Sequence, residues 1–116
     1  MNRAAQRLFA AFLIVVCHNV SRAQGLQGKA TIGGNVAVVT GHSVTLNWNA
    51  SPNANSYNVY RGIVAGGPYV QIASGIAATA YTDTKVHHGQ RLYYVATAVS
   101  NNSESVCSNE ANVTIP

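Results

Sequence analysis

Three stretches of this chain put apolar side chains on every second position. Ser43 to Asn49 (SVTLNWN) sends Val44, Leu46 and Trp48 one way and Ser43, Thr45, Asn47 and Asn49 the other. Ser56 to Arg61 (SYNVYR) and Glu110 to Ile115 (EANVTI) alternate likewise, and Arg91 to Val99 (RLYYVATAV) is the longest β run, rich in aromatic and β-branched residues. A period of two is the mark of a half-buried strand, because successive side chains leave a strand on opposite faces. Val36–Val39, Tyr69–Ala73 and Ala80–Thr84 are shorter β segments. Between these runs stand turn formers: Ser51-Pro52-Asn53-Ala54-Asn55, Gly66-Gly67-Pro68, Ser74-Gly75, His87-His88-Gly89-Gln90 and the polar Ser100–Ser105. Seven short strands with regular turn signals predict an all-β, seven-stranded antiparallel β-sandwich. Parallel sheets would read as near-continuous apolar runs instead.

The first 23 residues follow a different rule. Arg3 and Arg7 precede Leu8–Val16 (LFAAFLIVV), an unbroken apolar run of nine residues, and Ser21 and Ala23 follow at small-x-small spacing. That order predicts a signal peptide over 1–23, cut after Ala23. Nine apolar residues are too few for a spanning helix, which needs roughly 20. Lipid attachment at Cys17 is disfavoured by the bulky Val16 before it. The membrane is thus expected to be met only in transit, and the mature chain to be secreted, periplasmic or at the cell surface. Residues 24–35 (QGLQGKATIGGN), polar and glycine-rich, read as a flexible leader to a domain over 36–116.

Cleavage there would change the charge and cysteine arithmetic. Arg3, Arg7 and Arg22 would leave, lowering the formal net charge from +4 to +1. The basic pI thus belongs mainly to the leader, and no clustered basic patch argues for nucleic acid. Cys17 would leave too, so Cys107 is expected to stand without an internal disulfide, as a partly buried small apolar residue.

Little in the domain suggests chemistry. Its three carboxylates, Asp83, Glu104 and Glu110, have no spacing that argues for paired acid–base work and read as solubilising surface charges. His87 and His88 are adjacent, which on a strand would point them apart, and zinc usually needs three or four ligands. They read as turn residues, so no catalytic residue, cofactor or metal site is expected. Arg61-Gly62 continues with Ile63, so the adhesion tripeptide Arg-Gly-Asp is missing. Asn49-Ala50-Ser51, Asn101-Asn102-Ser103 and Asn112-Val113-Thr114 fit the glycosylation triplet, which only a eukaryotic host would read.

The ordered segments SVTLNW, SYNVYRG, GGPYVQIASG, AYTDT, RLYYVATAVS and ESVCSNEANVTIP resemble a fibronectin type III domain, as found singly in bacterial exported proteins. The resemblance covers about Val39 to Pro116. It implies immunoglobulin-like topology, with strands A, B and E in one sheet and C′, C, F and G in the other. It implies core positions at Trp48, Tyr57, Val59, Tyr81, Ala111, Val113 and Ile115, beside the Leu46 that alternation already marks. Leu92 stands where the family usually carries a tyrosine whose hydroxyl ties the corner before strand F, so a weaker corner is expected. The implied outward positions of C′, C and F hold Tyr69, Tyr60 and Tyr93, a candidate exposed aromatic strip for stacking on sugars or anchoring a protein.

The resemblance implies a non-catalytic exported module, monomeric, that mediates protein interaction or structural spacing. The alternative is a small carbohydrate-binding module or an accessory subunit of a secreted hydrolase. The expected partner is a protein or a polysaccharide.

Overall fold

The computed structural model describes residues 14–15 and 33–116. Within 36–114 the chain forms eight strands, one more than expected: β2 Val36–Thr40, β3 Ser43–Asn47, β4 Ser56–Gly62, β5 Tyr69–Ile76, β6 Ala80–Asp83, β7 Arg91–Ser100, β8 Ser103–Glu104 and β9 Ala111–Thr114. A two-residue strand, β1 Ile14–Val15, precedes them. The extra strand β8 comes from the stretch read as a polar loop. Asn101 and Asn102 both take left-handed backbone (φ 51° and 69°), which turns β7 back on itself as a tight hairpin.

Two antiparallel sheets make a sandwich. The smaller runs β2-β3-β6 and the larger β1-β5-β4-β7, with β8 and β9 both pairing β7. Apart from β1 and β8 these are the A-B-E and C′-C-F-G sheets that the resemblance implied. Register explains which side chains meet. Leu46 lies opposite Ala37 on one side and Tyr81 on the other, all three inward. Tyr57 pairs with Ala98, Val59 with Ala96, and Leu92 with Val113, again inward. The small alanines leave room for Trp48 and Tyr57, whose rings meet at 5.6 Å and a 59° tilt. Trp48 thus sits between the sheets, with its indole N–H buried and unpaired.

The corner before β7 is held without a tyrosine. Leu92 is buried in the core. The turn instead closes through Gln90 Oε1, which accepts from the His87 amide at 2.6 Å. Backbone bonds between Gly89 and Ile115 (2.9 Å) and between Ile115 and Gln90 (2.8 Å) fasten it to the end of the chain. His87 and His88 lie exposed in this turn.

The segment expected to be flexible up to residue 35 is fixed at its end. Asn35 is buried and exchanges bonds with Asn109: its amide donates to Asn109 Oδ1 (2.9 Å), and Asn109 Nδ2 donates back to the Asn35 carbonyl (3.0 Å). Asn35 Nδ2 also reaches the Tyr94 carbonyl at 3.1 Å. The chain is thus already fastened to the sandwich at Asn35. The expected cleavage point, Ala23, lies outside the described residues, as does Cys17.

Candidate functional site

The outer face of the larger sheet was the place to look for an aromatic strip, and the structure corrects that expectation. Tyr60 and Tyr69 do point outward, but they are only 1 % and 2 % exposed, and Tyr93 alone of the three stays half-buried. Tyr60, Tyr69, Val95 and Cys107 form a second apolar cluster, with Tyr93 packed at its side. No open strip of three rings exists on this face.

The cover comes from residues 103–110, whose sequence hides what they do. They show no alternation, yet they run beside β7 as a ragged continuation of a strand. Ser105 Oγ accepts from the Ala98 amide and Ser108 Oγ from the Ala96 amide, each at 2.9 Å. The amides of the same two serines donate to the Ala98 and Ala96 carbonyls at 2.8 Å. Serine hydroxyls thus fill places that a partner strand's carbonyls would take, which is how buried edge amides stay satisfied. Cys107, between these serines, is carried onto the tyrosine cluster at 4 % exposure and is disulfide-bonded.

All three acids of the domain accept a tyrosine hydroxyl. Tyr60 donates to Glu104, Tyr69 to Glu110 and Tyr94 to Asp83. Glu104 also accepts from Thr97 Oγ1 (2.6 Å) and Asn58 Nδ2 (3.1 Å). Burial works to raise its pKa, but the donors from Thr97, Tyr60 and Asn58 outweigh it and hold the Glu104 carboxyl below the usual range. Glu110 also takes the Gly66 amide at 2.7 Å, which ties the β4–β5 loop to the start of β9. Gly67 belongs to that loop with φ +93°, and a Cβ on it would stand 2.9 Å from the Tyr69 ring. Only glycine lets the ring lie there.

Asp83 contradicts the reading of the acids as surface charges most plainly. It is 3 % exposed and joins the two sheets from its place on β6. Its Oδ2 accepts from Arg61 Nη1 on β4 and from the Tyr94 hydroxyl on β7, both at 2.7 Å. Its Oδ1 accepts from the Lys85 amide at 3.0 Å. Burial, then the carboxylate partners, push all three tyrosines up: Tyr60 to about 12, and Tyr69 and Tyr94 further. Sequence separations of 44, 41 and 11 residues between the partners explain why no motif announced these pairs. Each acid is spent on holding structure.

Tyr93 keeps an open setting. The Arg91 guanidinium lies 5.9 Å from its ring centroid and bonds Tyr93 Oη, Thr114 Oγ1 and Asn112 Oδ1 at 3.1–3.2 Å. The opposite side of the molecule differs. On the smaller sheet Val36 and Val38 are 54 % and 52 % exposed, and Thr45 and Thr82 share a hydroxyl bond beside them.

No family model matches the chain. It is similar to the crystal structure of an Fn3-like protein from Clostridium thermocellum: 47% identity, TM-score 0.69, with 77% of this chain and 93% of that one covered. Among curated proteins it matches an amylopullulanase of Thermoanaerobacter thermohydrosulfuricus at 45% identity over 75 residues. It also matches a poly(3-hydroxybutyrate) depolymerase of Ralstonia pickettii at 44% over 75 residues. The aligned parts are 64% and 65% of this chain, but only 5% and 14% of those proteins' lengths. With 93% of a 47%-identical Fn3-like protein covered and the same sandwich on both sides, this chain belongs to the fibronectin type III-like family.

Proposed function

We propose that this chain is a non-catalytic, exported sandwich module that serves as an accessory to enzymes degrading extracellular polymers. The match to a short segment of each of several amylopullulanases carries the reading, since so small a share of those proteins is a module within them. The engagement of all three domain acids in tyrosine bonds supports it, because general acid–base work needs a group free to move a proton. Export is supported by the leader pattern of Arg3, Arg7, the apolar run and Ala23.

A segment exchange tests the proposal. Residues 33–116 would replace the matching segment of the Thermoanaerobacter thermohydrosulfuricus amylopullulanase. The chimera should keep the parent's kcat and thermal inactivation rate, and deleting the segment should impair one of them. A chimera no better than the deletion would refute the accessory role. The purified domain alone should release no sugar from starch or pullulan, and turnover there would refute the non-catalytic reading.

A further inference from the structure

We propose that the outer edge of β5 is a strand-acceptor site, and that in the full-length chain its occupant is the chain's own apolar segment at Ile14–Val15. A strand at the border of a sheet offers a row of unpaired amides and carbonyls. Natural edges are usually blunted by lysine, proline or inward charge. β5 (YVQIASGI) has no charged residue and no proline, so its edge is unguarded. β1 lies on it antiparallel, with Ile14 opposite Val70 and Val15 opposite Tyr69. The occupant suits the place: Ile14, Val15 and Val16 end the apolar run with three β-branched residues, the side chains that favour strands.

A chain lacking residues 1–23 would leave this edge open, able to take a strand from elsewhere, the mode of recognition known as β-augmentation.

Hydrogen exchange tests this on three proteins: chain 1–116, the same chain with Val15→Pro, and residues 24–116. The last retains every core residue from Ala37 to Ile115. Those amides of residues 69–71 that face β1 should exchange at least tenfold faster in 24–116 than in 1–116, and Val15→Pro should reproduce the gain without touching the domain. A synthetic peptide of residues 12–16 with lysine tails, added to 24–116, should restore the protection. Equal exchange in all three proteins would overturn the proposal. So would fast exchange on truncation but not with Val15→Pro. A concentration-dependent dimer of 24–116 with slow exchange at 69–71 would assign the edge to a second copy and overturn the occupant named here.

Discussion

The two outer faces of this sandwich start from the same strand pattern and end differently. On the larger sheet, outward Tyr60 and Tyr69 are sealed under residues 103–110, and their hydroxyls are bound to Glu104 and Glu110. On the smaller sheet, outward Val36 and Val38 lie open beside the Thr45–Thr82 pair. Alternation decides which way a side chain points, but not whether something folds over it. The cover on the larger sheet depends on two serines that accept strand amides and on acids more than 40 residues distant from their tyrosines.

The strongest challenge to both faces is the layer they share. Trp48→Ala should cost about 3–5 kcal/mol in chemical denaturation through lost burial and a cavity. A change under about 1 kcal/mol would mean that the layer is not held there. Next, Glu104→Ala would leave the buried Tyr60, Thr97 and Asn58 donors without their acceptor. That should cost about 1–3 kcal/mol, whereas Thr82→Ala on the open face should stay within about 0.5 kcal/mol. Equal costs would erase the contrast between the faces.

Titration sharpens the same contrast. The folded Glu104 carboxyl is depressed, so its contribution is present above the unfolded value of about 4.3 and drains as pH falls through the lower folded value. Tyr60 is raised, so its contribution is whole below the unfolded value of about 10 and is lost as pH climbs toward about 12. Tyr69 and Tyr94, also raised, add to the alkaline limb. Tyr60→Phe should therefore flatten part of the fall in melting temperature above pH 10. An identical alkaline limb would deny that Tyr60 titrates within a buried pair. The smallest expected effect belongs to the open face: Val38→Thr should shift stability by no more than about 0.5 kcal/mol.

Much of the fold was legible in the sequence because core positions obey a local rule. Leu46, Trp48, Tyr57, Val59 and Val113 lie in the buried core cluster, with Tyr81 packed against it, where period two and the family resemblance put them. What the sequence hid was non-local. Asp83 looked like a surface charge until Arg61 and Tyr94, from two other strands, were brought to it. Ser105 looked like a loop residue and Ser108 carried no signal, because their role lies in hydroxyl positions relative to β7, which no periodicity records. Leu92 suggested a weak corner, and Gln90, read only as part of a turn, supplied the missing tie through its side chain.

The reciprocal bonds between Asn35 and Asn109 have a mechanical consequence. A peptide leaving a globular body through a loose joint can swing, and whatever it carries swings with it. Here the polypeptide is bolted to the sandwich at the threshold of β2. Rotation about that threshold would require both amide clasps to break together, which makes the domain a fixed bracket rather than a pivot.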